Sequence, residues 1–471
     1  MLPIDIDFSR LCEVFTYDPQ APLIFTSGIF LWLFAAFMVV YVFLQYKYTA
    51  RILFVTLFSY YFYYKSSGLW FGLLVFTATS DFLIAQCISH TTSVLKRKLF
   101  VTLSLCINLG MLGYFKYFNF LGELFTMAAG GEWLKMNIFL PVGISFFTFQ
   151  SISYVIDVYR GRIQPLGRWI DYVFYVSFFP QLVAGPIVRA RDFIPQMYKN
   201  PTVTRSEFGE GLFLILCGLF KKTVISDYIS MNFVDRIFDA PLLYTGVENL
   251  LGVYGYALQI YCDFSGYSDM AIGLGKMFGF HINENFNYPY IATSIKDFWR
   301  RWHISLSSWL RDYVYIPLGG NRKGLRRTYI NNMATMLIGG LWHGASWKFV
   351  FWGGMHGAGL AIHKACRPLL GKIGDNWGVK ALSWLLTMTV VALLWVFFRA
   401  DSFGDSCAII GHTFSDLSVD YIMPFATVRY LWLILMAVII IAHCLPTSFW
   451  DKAAMWFVRS PWIIKLLIFI V

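Results

Sequence analysis

The chain has 471 residues, of which 58% are hydrophobic and only 14% charged, and its mean hydropathy is +0.58. Soluble globular proteins carry about 25% charged residues, so this composition excludes an ordinary soluble enzyme and indicates an integral membrane protein. The net charge of +11 does not indicate a nucleic-acid-binding protein, because Lys and Arg occur in short runs between apolar segments, as the positive-inside rule expects.

Apolar segments recur along the whole chain, and a helix that spans the bilayer needs roughly 20 such residues. The better candidates are 23–44, 52–64, 69–88, 99–115, 250–278, 347–362, 381–398 and 430–445. Shorter or interrupted candidates are 138–159, 172–188, 212–225, 330–342 and the segment from 462 onward. We predict an all-α polytopic membrane protein with about eleven transmembrane helices and additional re-entrant or interfacial segments, because open sheets leave backbone groups unpaired in lipid.

Charge in the loops predicts the orientation of the chain. The N-terminal segment is acidic and reads as extracytoplasmic, with Asp5, Asp7, Glu13 and Asp18. The richest basic stretch, 296–327, is expected at the cytoplasmic face. We see no cleavable signal peptide, and we expect the natural chain to continue beyond the apolar run at 462–471. The eight scattered cysteines show no paired spacing and predict neither disulfides nor a metal site.

Residues 297–312 are predicted to form one amphipathic helix. Its apolar side carries Phe298, Trp299, Trp302, Leu306, Trp309 and Leu310, and its polar stripe carries Arg300, His303, Ser307 and Arg311. One interpretation is an interfacial helix with tryptophans at the level of the headgroups. The other is that the stripe lines the entry for an anionic thioester donor, because the guanidinium fork suits phosphate.

Two histidines, His343 and His356, lie among tryptophans and glycines in 339–357. An ionisable group at membrane depth is a functional hypothesis by default, and histidine can act as a general base toward a hydroxyl near neutral pH. The flanking glycines permit sharp turns and close approach by a ligand. The alternative is a buried histidine hydrogen-bonded between helices. A metal site on His356 and His363 has no carboxylate at ligand spacing.

Two further segments interrupt apolar runs. In 259–269, Asp263 either orients an imidazole or guanidinium in the core or, with a serine, caps a broken helix beside Gly266. In 179–189, two prolines flank Gln181 and Gly185, which predicts either a re-entrant turn or a single kinked span.

Several long motifs resemble one known family in their order and residues. These are 141–161 (PVGISFFTFQSISYVIDVYRG), 179–190 (FPQLVAGPIVRA), 261–273 (YCDFSGYSDMAIG), 283–290 (NENFNYPY), 297–324 (DFWRRWHISLSSWLRDYVYIPLGGNRKG) and 331–357 (NNMATMLIGGLWHGASWKFVFWGGMHG). The chain resembles the bacterial branch of the membrane-bound O-acyltransferase (MBOAT) family, whose members acetylate alginate or peptidoglycan or D-alanylate teichoic acid. The resemblance covers about residues 20 to 445.

The resemblance implies a ring of tilted helices around a central tunnel that holds a catalytic histidine. We therefore expect one transmembrane domain over 1–471, with core motifs in 141–363, N-terminal helices in 23–115 and C-terminal helices in 381–471. By resemblance His343 is the catalytic histidine and His303 the second family histidine. The residues expected at the substrate or donor are Arg300, Ser307, Trp309, Arg311, Asp312, Asp263 and Trp342.

The implied reaction is transfer of an acetyl group from a cytoplasmic thioester across the bacterial inner membrane to an envelope polysaccharide. No resident cofactor or metal is expected; the donor is acetyl-coenzyme A or a carrier-bound thioester. An extracytoplasmic SGNH-type acetyltransferase is the expected partner. The alternatives are D-alanyl transfer from a carrier protein to teichoic acid, a transporter or flippase, and a non-catalytic membrane scaffold.

Overall fold

The computed structural model describes residues 13–373 and 376–470, and within these ranges the chain forms helices and no strand. The all-α prediction is confirmed. The described residues fall into two compact units, one drawn from 1–204 with Leu274–Ile282 and the other from Arg205–Gly273 with Asn283–Val471. One transmembrane domain over 1–471 stays a prediction. Asp5, Asp7 and Cys12 lie outside the described residues.

The longer helices of the first unit are α1 (Gly28–Leu44), α2 (Tyr48–Ser67), α3 (Phe71–His90), α4 (Val94–Leu112), α5 (Phe118–Ala128), α6 (Ile144–Tyr159), α7 (Trp169–Ser177) and α8 (Ala190–Met197). Serine side chains cap α1 and α4, since Ser27 accepts from Phe30 N and Ser93 from Lys96 N. After α7 the chain makes one turn, Phe179–Leu182, and then runs without helix to α8. This interruption favours the re-entrant turn over a single kinked span.

The longer helices from residue 205 onward are α9 (Arg205–Leu219), α10 (Gly246–Met277), α11 (Ile295–Arg301), α12 (Ile304–Leu310), α13 (Gly324–His343), α14 (Trp347–Ile373), α15 (Trp377–Arg399), α16 (Phe403–Ser415), α17 (Ile422–Val428), α18 (Tyr430–Cys444), α19 (Thr447–Arg459) and α20 (Trp462–Ile470). A π-helical segment, Phe220–Ser226, extends α9. Helix α10 is continuous, so the predicted helix break beside Gly266 is wrong.

Three helical stretches of the described chain are long and apolar enough to cross a membrane: Tyr48–His90, Val94–Ala128 and Trp377–Arg399. Helices α17 and α18 pass the same test only as a pair, bent by 85°. Helix α1 is apolar but shorter. These apolar helices are those of a polytopic membrane protein, and the count of about eleven spans stays a prediction.

Close backbone contact between α13 and α14 explains the glycines of the 339–357 segment. A Cβ on Gly340 would overlap the main-chain oxygen of Phe349, and one on Gly353 would overlap that of Met336. These two glycines therefore serve the approach of two helices to each other, as small residues do in membrane interfaces. The prediction that they admit a ligand is wrong for these two positions.

Candidate active site

His303 lies between α11 and α12 in the left-handed region, with φ 44° and ψ 54°. The predicted continuous helix over 297–312 is wrong, because this residue separates two seven-residue helices. Histidine enters this region more readily than most non-glycine residues, at a cost of about 1–3 kcal/mol. The break is held by Asn285, whose main-chain oxygen accepts a hydrogen bond from Ile304 N at 2.9 Å.

The side chain of Asn285 fixes the tautomer of His303. Asn285 Oδ1 accepts hydrogen bonds from Ser305 N at 3.2 Å and Ser305 Oγ at 2.9 Å. A main-chain N–H can only donate, so the acceptor must be the amide oxygen. The same oxygen lies 3.1 Å from His303 Nδ1, which therefore carries the proton. The neutral ring presents a lone pair at Nε2, a buried atom with no hydrogen-bond partner among the described residues.

Burial keeps His303 in this neutral form. The residue is 1% exposed, and burial lowers the pKa of the imidazole to about 3, because desolvation disfavours the charged ring. His303 therefore stays uncharged over the whole neutral range and can accept a hydrogen bond at Nε2. Asn285 stands in the 283–290 motif, but neither charge nor periodicity in the sequence marks it as the partner of His303.

His343 is the last residue of α13 and is half-buried. Its ring meets the rings of Trp342, Trp352 and Phe398 edge to face, with centroid distances of 4.9, 5.1 and 5.1 Å. The His303 ring centroid lies 6.5 Å away. The structure thus brings together the two histidines that the sequence analysis names as catalytic candidates.

A cavity of about 100 Å³ lies beside His343. Most of its wall is apolar and comes from α12, α13 and α14, with Leu306, Leu310, Met336 and Leu360. The indole rings of Trp299 and Trp352 also face it. An imidazole at the edge of a small apolar space has little water to compete with a bound hydroxyl, which strengthens its interactions there.

Two hydroxyl groups line the same cavity, and both donate their protons elsewhere. Ser307 Oγ donates to Trp302 O at 3.3 Å, and Thr335 Oγ1 donates to Asn331 O at 2.7 Å. A hydroxyl that has donated its proton retains only acceptor capacity. Ser307 belongs to the predicted polar stripe and lines the cavity, whereas the other three residues of that stripe do not line it.

His356 belongs to an aromatic cluster behind the cavity. Trp299 Nε1, which can only donate, lies 3.2 Å from His356 Nδ1, so the proton of the neutral His356 ring sits on Nε2. The ring is fully buried and packs against Phe298 and Trp352, with centroids at 6.2 and 4.7 Å. These contacts favour the structural interpretation of His356. Within the described ranges no group of three or more His, Cys, Asp or Glu side chains could hold a metal ion.

The predicted polar stripe is not a single surface. His303 is buried, whereas Arg300 and Arg311 are exposed, and Arg311 Nε pairs with Asp312 Oδ1 at 2.8 Å. Trp309 is buried against the Tyr313 ring at 5.1 Å. The four polar residues do not share one helix face, because the left-handed residue at 303 rotates α12 relative to α11. Donor binding by Arg300, Arg311 and Asp312 stays a prediction.

Of two further residues predicted to lie at the substrate or donor, Trp342 contacts the histidines, whereas Asp263 forms an ion pair with a lysine. Trp342 is buried and touches both histidine rings, at 5.8 Å from His303 and 4.9 Å from His343. Asp263 forms an ion pair with Lys222, which also pairs with Asp227 at 3.0 Å. The prediction that Asp263 orients an imidazole or a guanidinium is wrong, because its partner is an ammonium group on the extension of α9.

Comparison with known proteins identifies the family. Residues 168–398 match the MBOAT, membrane-bound O-acyltransferase family. A probable alginate O-acetylase from Azotobacter vinelandii is 41% identical over 387 residues, which cover 81% of this chain and 76% of that protein. This chain belongs to the MBOAT family. It is a polytopic membrane acyltransferase, and Asn285, His303, His343 and Trp352 all lie in the matched range.

Other MBOAT relatives show the range of acceptors in the family. A peptidoglycan O-acetyltransferase from Helicobacter pylori is 37% identical over 384 residues, covering 76% of this chain and 72% of that protein. A teichoic acid D-alanyltransferase from Bacillus subtilis is 32% identical over 236 residues, covering 47% of this chain and 58% of that protein. The predicted resemblance to this branch is confirmed.

Proposed function

We propose that this acyltransferase moves an acetyl group from a cytoplasmic thioester to a hydroxyl acceptor, with His343 as general base. The observation that carries the proposal is the position of His343 at a small apolar cavity, with the neutral His303 ring 6.5 Å away. A hydroxyl group has one proton to donate, and in this proposal that proton goes to His343. His303 Nε2 is an acceptor only, so it takes its hydrogen bond from a second N–H or O–H group of the acceptor molecule.

The reaction balances with His343 neutral at the start and at the end. The acceptor oxygen attacks the thioester carbon while His343 takes the hydroxyl proton, and the carbonyl π electrons move to the carbonyl oxygen. The C–S bond then breaks, the thiolate leaves, and the His343 imidazolium returns the proton to sulfur. A general base of this kind contributes about 10²- to 10⁴-fold to the rate.

The size of the cavity supports a short acyl group. An apolar cavity of about 150 Å³ in another protein holds benzene, with its six carbon atoms. In proportion, the space of about 100 Å³ beside His343 is large enough for an acetyl group.

The lining also favours acetyl over D-alanyl transfer. A D-alanyl group carries an ammonium ion, and burying that charge requires a carboxylate or several acceptors. The described lining residues include no carboxylate, and their side-chain acceptors are the oxygens of Ser307 and Thr335 and the imidazole of His343.

The proposal extends to the wider setting of the reaction, which the charge pattern and the family support. The proposal places the protein in the bacterial inner membrane, with the N-terminus outside and the basic 296–327 stretch at the cytoplasmic face, where Arg300 and Arg311 meet the phosphates of acetyl-coenzyme A or a carrier-bound donor. The final acceptor is an envelope polysaccharide, reached through an extracytoplasmic SGNH-type acetyltransferase. Alginate and peptidoglycan acetylation by relatives support this assignment.

Transfer from labelled acetyl-coenzyme A, measured with the purified protein in lipid, tests the proposal. We expect His343→Ala to lose at least about 100-fold in rate, while a matched control at the exposed His90, His90→Ala, keeps the wild-type rate. The carrier-bound donor and the partner enzyme are added in parallel reactions. Wild-type rates in His343→Ala would contradict the general-base role, and no transfer by the wild-type protein with either donor or with the partner would favour the scaffold or transporter hypothesis.

A further inference from the structure

Acyl transfer places negative charge on the carbonyl oxygen in the transition state, and a fixed donor aimed at that oxygen is a large part of catalysis in such reactions. The cavity beside His343 offers few donors. Ser307 and Thr335 have given their protons to main-chain oxygens, and Trp299 donates its indole N–H to His356. These three lining groups therefore have no proton left for a bound carbonyl.

Trp352 differs from these groups. Its side chain is 1% exposed and lines the cavity, and its Nε1 is buried without a hydrogen-bond partner among the described residues. A buried donor without a partner is costly, and indole N–H groups in protein interiors usually find one. An oxygen atom bound in the cavity would supply the missing acceptor.

We propose that Trp352 is a catalytic residue whose Nε1–H binds the carbonyl oxygen of the acyl donor and stabilises the oxyanion during transfer. This inference rests on the proposed function, since it requires an acyl carbonyl in the cavity beside His343. The Trp352 and His343 rings meet edge to face at 5.1 Å, so the donor and the base flank one small space.

The roles of the two groups are complementary in the reaction. As His343 takes the hydroxyl proton and the C–O bond forms, the electron pair that collects on the carbonyl oxygen accepts the Trp352 hydrogen bond. When that pair returns and the C–S bond breaks, the proton on His343 passes to sulfur. Trp352 gives up no proton at any step.

The surroundings of Trp352 hold the indole ring in place. The Trp395 ring stacks on it at 5.7 Å with an interplanar angle of 28°, and the His356 ring meets it at 4.7 Å. His356 is itself fixed by the hydrogen bond from Trp299. A donor held this rigidly requires little reorganisation when charge develops, which is the condition for electrostatic stabilisation of a transition state.

The test compares Trp352→Phe with Trp432→Phe, which removes an equally buried indole that neither lines the cavity nor stacks on Trp352. Two coenzyme A analogues serve as probes: acetonyl-coenzyme A, which carries a ketone, and S-propyl-coenzyme A, which has a methylene group instead. We expect wild type and Trp432→Phe to prefer the ketone, and Trp352→Phe to bind both alike and to lose about 100-fold in kcat.

A second replacement guards against misfolding of Trp352→Phe. Incorporation of 3-benzothienylalanine at position 352 keeps the shape of the indole and replaces its N–H by sulfur, so the same loss of ketone preference is expected from an intact fold. Ketone preference retained in both Trp352 variants, or absent from wild type, overturns the inference. Ketone preference that depends on Trp352 in a protein without acetyl transfer supports the donor and overturns only the proposed function.

Discussion

Replacement of Asn285 is the sharpest test of how His303 is positioned. Asn285 Oδ1 serves three donors, at 3.1 Å from His303 Nδ1, 3.2 Å from Ser305 N and 2.9 Å from Ser305 Oγ. In Asn285→Ala the two N–H donors stay buried without this acceptor, at about 1–3 kcal/mol each. We expect the free energy of unfolding to fall by about 2–6 kcal/mol. A water molecule that enters and accepts these hydrogen bonds would reduce this loss.

Asn285→Asp separates chemistry from stability, because a carboxylate still accepts all three hydrogen bonds. Its negative charge stabilises the imidazolium form of His303 and raises the pKa of that ring from about 3 into the range of about 4 to 6. Below the raised pKa, Nε2 carries a proton and can no longer accept a hydrogen bond. Wild-type transfer should therefore show no loss from His303 between pH 5 and 8, whereas Asn285→Asp should lose activity as the pH falls toward 5.

The assay is acetyl transfer by the purified variants in lipid between pH 5 and 8, with thermal unfolding measured on the same samples. Asn285→Asp also removes the amide N–H that donates to Ser268 Oγ at 3.3 Å, so Ser268→Ala serves as the matched control for that lost contact. An Asn285→Asp profile that coincides with wild type, or an Asn285→Ala protein with wild-type stability and rate, would refute the reasoning about His303.

Two further predictions concern the helix contact and the cavity. Gly353→Ala should destabilise the protein by about 1–3 kcal/mol, because the added Cβ would overlap Met336 O. Gly354→Ala is the control, because its Cβ meets only Leu337 Cδ2 at 3.5 Å. We expect this control to unfold near the wild-type temperature. Equal stability of the two variants would contradict the close helix contact. Met336→Ala enlarges the cavity and should raise the rate with butyryl-coenzyme A relative to acetyl-coenzyme A by about tenfold or more. An unchanged ratio in competition assays would exclude this cavity as the acyl site.

The sequence predicts the helical class and many helix positions, and its motifs name the two histidines whose rings lie 6.5 Å apart. The predicted segment 250–278 closely matches α10 at Gly246–Met277, and 381–398 matches α15 at Trp377–Arg399. Long apolar runs indicate such helices directly, because no other regular structure satisfies its backbone in lipid within one segment. The family motifs predict that His303 and His343 belong to one site. Residue spacing alone does not indicate that either side chain lies near a cavity.

The break at His303 could not be read from periodicity. Apolar residues recur at helical spacing through 298–310, so the pattern continues across the left-handed residue. What stops the helix is a contact distant in sequence, the Asn285 carboxamide and main-chain oxygen, which take the first N–H groups of α12. The same holds for Lys222 and Asp263, whose ion pair makes a lysine within an apolar segment tolerable.

His303 and His356 show why residue type and depth do not separate catalysis from packing. Both rings are buried, and each makes one hydrogen bond through Nδ1. Asn285 accepts from His303, which leaves an acceptor at Nε2 near His343, whereas Trp299 donates to His356, which leaves a proton at Nε2 inside an aromatic cluster. A single partner on each ring thus decides whether Nε2 is left as an acceptor or as a donor, and each partner stands in a different sequence motif from its histidine.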